Sequence, residues 1–166
     1  KTYTGWRKCL DQKGLDAVLI CTADHHHAFI SNWALHRDLH VYCEKPVAIS
    51  VEESRVLRDH WLTKKGKLAT QVGTQMHAQE NYARVKEIVL DGAIGELQSA
   101  TAFGNRKLRR DGYEKAGPKP PAGLDWDLWL GPSPQRPYSP KYFSGRPGAN
   151  WLQWNMFWDW GSGQIG

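Results

Sequence analysis

His40-Val41-Tyr42-Cys43-Glu44-Lys45-Pro46 is the stretch whose reading decides the fold. Val41, Tyr42 and Cys43 are the branched, aromatic and small apolar residues of a packed strand. Pro46 has no N–H to give to a central ladder, so the strand stops there. Lys45 therefore stands at a strand tip, and the proline after it restricts its backbone. Open α/β sheets bind ligands outside the carboxyl ends of their strands. Glu44 and Lys45 read either as a charged pair at such an edge or as a solvated pair opening a loop. The flanking segments bear on the choice.

Upstream, Asp16-Ala17-Val18-Leu19-Ile20-Cys21 is a continuous apolar run, the pattern of a strand buried on both faces of a parallel sheet. Thr22-Ala23-Asp24 closes it, and Asp24 is placed to cap a helix over 25–35. Strand, helix and strand make a βαβ unit with a right-handed crossover. Downstream, Ser50-Val51-Glu52-Glu53 is a capping box that opens a helix reaching Lys64. Residues 68–73 are a third strand, and residues 81–90 a further helix stopped by Asp91-Gly92. Residues 3–13 are a short amphipathic helix with Trp6, Cys9 and Leu10 on one face. The alternation predicts a doubly wound parallel sheet of the α/β class.

The texture changes after Gly95. Residues 96–106 alternate loosely and read as a strand, the first of a different sheet. Residues 107–150 are rich in Pro and Gly and read as a long ordered loop. The tail from Trp151 holds four of the nine tryptophans and ends in a glycine-rich turn, Gly161 to Gly166.

Composition narrows the classes. The chain has 166 residues, 40% hydrophobic and 23% charged, which is globular. No apolar run approaches a membrane span, and no signal peptide opens the chain. The net charge of +5 is modest. The basic bunch Arg106-Lys107-Leu108-Arg109-Arg110 reads as a solvated loop, so nucleic acid is not expected as a partner. Cys9, Cys21 and Cys43 form neither a disulfide framework nor a zinc pattern, and Cys21 and Cys43 read as small core residues. These thiols suit a cytoplasmic protein, with the periplasm as the alternative. His25-His26-His27 are sequence neighbours that diverge on a helix, so no metal is expected. Glu52 and Glu53 read as helix-start electrostatics. The G-x-G-x-x-G turn of a dinucleotide fold is absent, and the chain reads as an internal piece of a larger protein.

Five segments in this order resemble the Gfo/Idh/MocA family of oxidoreductases. They are Asp16 to Ala28, His40 to Pro46, Gln71 to Gln75, Asp91 to Gly95, and Leu124 to Pro132. The resemblance implies the second half of a Rossmann doubly wound parallel sheet over residues 1–92. The start of an α/β domain with a large open sheet would follow over residues 93–166. It implies an NAD- or NADP-dependent dehydrogenase that moves a hydride between nicotinamide and a sugar or polyol, working as a homo-oligomer. Thr22 and His27 would line the nicotinamide and its ribose, and Glu44 and Gln75 would contact the cofactor. Lys45 would be the catalytic residue, bonded to the reacting substrate oxygen and to the ribose. Its bond to Pro46 would be cis. A fixed ammonium suits that role, because oxidising a carbinol builds negative charge on oxygen.

The sequence departs from the family pattern where Ala23 replaces a common Pro and His26 a common aromatic. The Asp and His that complete the family's catalytic set have no counterpart here. Trp126 and Trp129 are the candidates for sugar stacking, against core packing as the alternative for the tryptophans generally. Asp159 is either a polar group near the site or a cap. The 166 residues by themselves are expected to bind dinucleotide weakly. Two other readings stay open: NAD-assisted glycoside cleavage on the same fold, and a non-catalytic sugar-responsive or assembly protein.

Overall fold

The computed structural model describes residues 1–103, 112–144 and 153–163. The elements are α1 (Trp6–Leu10), β1 (Ala17–Ile20), α2 (Asp24–Leu35), β2 (His40–Glu44), α3 (Val51–Lys64), β3 (Thr70–Gly73), α4 (Glu80–Leu90) and α5 (Trp126–Leu130). Short 3-10 turns lie at Gln75–Ala78, Pro140–Phe143 and Gln153–Met156.

The three described strands are parallel in the order β1-β2-β3. Ile20 stands opposite Cys43, and Glu44 opposite Gly73. The expected α/β sheet is therefore present, and all three strands end on one edge. Both crossovers step in the same direction along the sheet. Right-handed crossovers that do so put their helices on the same face. On that face Val18, Ile20, Val41 and Cys43 join Ile30, Ala34, Leu35 and Leu57 in one apolar core.

The other face of the sheet is open at β1. The apolar run of β1 reads as buried on both sides, yet Leu19 is 69% exposed. Alternation along a strand turns Leu19 away from α2 and α3, and no described helix covers that side. Cys21, just past β1, is also exposed, as is Cys9, whereas Cys43 is buried as expected.

Capping chemistry sets the helix starts. The Ser50 hydroxyl accepts from the Glu53 N–H at 3.1 Å, and the Glu53 carboxylate accepts from the Ile49 N–H at 3.1 Å. Ser50→Ala removes one of these bonds at an otherwise exposed helix start. The variant should lose about 1 kcal/mol in urea unfolding; an unchanged midpoint would show the cap to be idle. Asp24 is not the cap of α2: Ala23 holds that position, and Asp24 is the first helical residue. At the N-terminus α1 covers only five residues, fewer than its periodicity suggests.

The Pro- and Gly-rich region is not simply a loop. Leu130, Tyr142, Phe157 and Trp160 are fully buried in a second core, ringed by Tyr113, Trp126, Trp129, Phe143 and Trp154. Asp125 caps α5 by accepting from the Leu128 N–H at 2.9 Å. A five-residue helix leaves too little periodicity to see in sequence. Residues 96–103 form no strand and are exposed. A strand needs a ladder partner, and none stands beside them among the described residues. Residues 104–106 of that expected strand and the basic run at 106–110 lie outside the described residues.

Candidate functional site

The carboxyl edge of the sheet gathers most of the expected site residues. Thr22 lies two positions past β1, Glu44 ends β2, Lys45 follows it, and Gln75 lies two positions past β3. Thr22 and Gln75 are exposed, and Glu44 and Lys45 are half-buried. The Lys45–Pro46 peptide bond is cis. Gly73 makes room for this edge: a Cβ there would stand 2.8 Å from Glu44 Oε1 and 2.9 Å from the Tyr42 hydroxyl. Any larger residue at 73 would push the Glu44 carboxylate off the end of β3.

His27 ties two of the strand ends together. Its ring is 1% exposed. Nδ1 lies 2.6 Å from the Pro46 carbonyl oxygen and Nε2 lies 2.9 Å from that of Thr22. Both partners are acceptors, and a neutral imidazole has one N–H to offer them. His27 thus clamps the loop after β1 to the loop that carries Lys45, with both nitrogens engaged by protein.

Asp24 sits beside this clamp. Burial pushes its carboxyl up to about 6, against the opposing pull of His27 and Lys45. The backbone N–H groups of Ser162 and of Asp24 itself pull in the same, lowering direction. Sequence reasoning treated Asp24 as a cap alone. What it missed is burial, which no local pattern announces.

His25 and His26 serve a different end of the molecule. The last carbonyls of a helix lack partners within it. Trp129, near the end of α5, is such a residue, and its oxygen accepts from Nε2 of both His25 and His26 at 2.8 Å. Burial pushes the His25 imidazole down to about 4, so it is neutral at neutral pH and donates from one nitrogen. The other, Nδ1, faces the Trp160 carbonyl at 3.3 Å. Gly131 completes the junction at φ +51, where a Cβ would fall 2.2 Å from His26 Cε1. The three histidines therefore point to two separate sets of carbonyl oxygens, and no group of metal-ligating side chains gathers among the described residues.

Trp126 and Trp129 lie in the aromatic core. Their rings stack 4.8 Å apart at 8°, and the Trp126 indole N–H donates to the Arg136 carbonyl at 2.7 Å. Asp159 pairs with Arg136 at 2.7 Å, and the guanidinium lies 3.8 Å over the Tyr113 ring.

The edge fits one half of a dinucleotide. A hydroxyl, a carboxylate, an amide and an ammonium can meet the hydroxyls of a ribose and a carboxamide. A pyrophosphate is less well served. Each of α2, α3 and α4 carries a carboxylate in its first turn, where an anion would otherwise bind.

A family model described as "Oxidoreductase family, NAD-binding Rossmann fold" (Gfo/Idh/MocA) matches residues 1–74. Over these residues the chain is similar to the Gfo/Idh/MocA family. Among curated proteins, it is 29% identical to an inositol 2-dehydrogenase of Salmonella paratyphi B over 58% of this chain and 28% of that protein. It is 30% identical to a glycosyl hydrolase family 109 protein of Stenotrophomonas maltophilia over 70% of this chain and 25% of that one. Among solved structures, it is similar to the myo-inositol dehydrogenase of Lactobacillus casei in complex with NAD(H) and myo-inositol. The TM-score there is 0.53 at 29% identity, over 57% of this chain and 28% of the other. The chain spans about a quarter of the length of the curated relatives it matches. The Rossmann-type parallel sheet read from its sequence is the fold these Gfo/Idh/MocA relatives share. No described helix is long and apolar enough to cross a membrane.

Proposed function

We propose that the complete protein is an NAD-dependent oxidoreductase that moves a hydride between nicotinamide and a carbinol of a sugar or polyol. The observation that carries this reading is Lys45, held at the carboxyl edge between Glu44 and Pro46, with the Pro46 carbonyl fastened by His27. The bound nicotinamide supplies the hydride chemistry. The chain's own part is to orient the carbinol and to hold its proton. The Lys45 side chain is the group for that oxygen, and Thr22, Glu44 and Gln75 would orient the nicotinamide half. His27 would shape the same pocket from beneath, through the two loops it joins. Trp126 and Trp129 would act on a substrate only from the aromatic core that backs α2. In this reading residues 1–92 complete a Rossmann domain and residues 93–166 open the substrate domain of a homo-oligomer.

The complete protein, incubated with NAD+ and a panel of inositols and aldoses, should develop the absorbance of reduced nicotinamide with at least one of them. No reduction with any polyol, in either direction, would overturn the reading. The similarity to a glycosyl hydrolase family 109 protein, which extends over 70% of the chain, favours a second reading. There the carbinol is oxidised only transiently while a glycosidic bond breaks. Release of sugar from an aryl glycoside without net change in the cofactor would select it.

A further inference from the structure

We propose that His25 and His26 form an acid-sensitive joint: as neutral imidazoles they dock the aromatic core on α2, and protonation of the pair releases it. The inference rests on the contact between the two cores and does not depend on the chemistry of the sheet edge.

The joint is a convergence on one oxygen. Nε2 of His25 and Nε2 of His26 each lie 2.8 Å from the Trp129 carbonyl oxygen. That oxygen has two lone pairs and can accept from both. Neighbours on a helix ordinarily face apart, but these rings turn to one target and stand 4.3 Å from each other. The remaining nitrogen of His25 faces a second carbonyl, that of Trp160, at 3.3 Å. Trp129 and Trp160 belong to separate segments of the aromatic core, so one side chain of α2 holds both. The fit is close. His25 is 1% exposed and His26 7%, and Gly131 has no side chain to displace the His26 ring.

Such a joint accommodates one proton on each ring. A second proton on His25 would meet the Trp160 oxygen, but it would also place a charge in a site closed to water, beside another imidazole. None of the described ion pairs involves either ring. The charged groups that act on the rings are each other, His27 on α2 and Arg7 on α1, all positive when ionised. From α5 and from residues 153–163 the rings meet carbonyl oxygens. Asp24, the preceding residue on α2, is pushed toward its neutral form by its own burial. Burial, and then His26, accordingly lower the His25 imidazole to about 4.

The direction of the effect follows. A His25 ring released into water takes up its proton as pH falls below about 6.5, whereas the docked ring does not until about 4. Docking is therefore at full strength above that window. It weakens as pH falls through it, by at most about tenfold per unit for one proton.

The test compares wild type with His25→Gln and His26→Gln in the complete protein. Glutamine keeps an N–H for the Trp129 oxygen and takes up no proton. Hydrogen exchange, corrected for the intrinsic effect of pH, is followed by mass spectrometry from about pH 7 down to about pH 5. The amides to watch are those of Trp129, Gly131, Trp160 and Gly161, which are bonded within the aromatic core. In wild type their protection should fall on the order of tenfold across this range while that of β2 holds. In His25→Gln it should stay level. His26→Gln removes the neighbouring charge, so the fall should move to lower pH, and this variant serves alone should His25→Gln not fold. His36→Gln, an exposed histidine at the other end of α2, should behave as wild type. Protection that does not fall in wild type, that falls equally in the His25 and His26 variants, or that falls together with that of β2 would overturn the proposal.

Discussion

Lys45→Ala in the complete protein should lower kcat by about 10³-fold, with kcat/KM falling in step. The reason is where charge appears. As the hydride leaves a carbinol carbon, negative charge develops on its oxygen, and an interaction made mainly at that moment affects kcat rather than KM. The proline that follows restricts the Lys45 backbone, so the side chain starts from a fixed point at the sheet edge. Lys45→Arg should remain poor. The guanidinium keeps the positive charge but is larger, differently shaped and does not give up a proton in this pH range. Cofactor reduction at saturating polyol measures both variants. Turnover within a few-fold of wild type in Lys45→Ala would remove the catalytic role and, with it, the best argument for redox chemistry at this edge.

Trp160→Ala should destabilise the folded protein by about 3–5 kcal/mol, the cost of emptying a large aromatic site in a core. Trp160 is fully buried against Leu130, Tyr142 and Phe157. Its ring packs edge-on to Tyr142 at 4.6 Å and to Trp129 at 5.2 Å. Its indole N–H donates to the Ser133 hydroxyl at 3.0 Å, and that hydroxyl in turn donates to the Leu130 carbonyl. Truncation therefore removes packing without orphaning Ser133. Trp160→Phe keeps most of the ring and should cost far less. Equilibrium urea unfolding followed by tryptophan fluorescence separates the two variants. A loss below about 1 kcal/mol in Trp160→Ala would mean that the second core can collapse around the gap. The effect should reach the site as well, because the Trp160 carbonyl faces His25, next to Asp24 on α2.

Particular residues show how far local signals carry. Ser50 and Glu53 marked the start of α3 because a cap is a bond between residues three apart, visible in any sequence that contains it. Pro46 marked the end of β2 because it lacks an N–H. The resemblance to dehydrogenases then placed a cis bond before that proline, and the bond is cis. Leu19 misled because a strand's sequence states which faces are apolar, not which face α2 and α3 will cover. Residues 96–103 misled because alternation describes a strand only where a neighbouring strand exists. The stacked pair Trp126 and Trp129 read as a sugar platform or as core with equal ease, since exposed and buried aromatics look alike in one dimension.

By itself the sequence determined a parallel α/β sheet, the edge on which its strands end, and the lysine that stands there. All three follow from period, punctuation and the chemistry of proline, which act over a few residues. Only the tertiary structure decided what surrounds that lysine. The Trp129 oxygen that binds His25 lies 104 residues along the chain, and the Trp160 oxygen that faces the same ring lies 135 residues along it. Burial and carbonyl partners at such separations are properties of the packed chain, and they, not the identity of the residues, set the charge of a carboxylate or an imidazole.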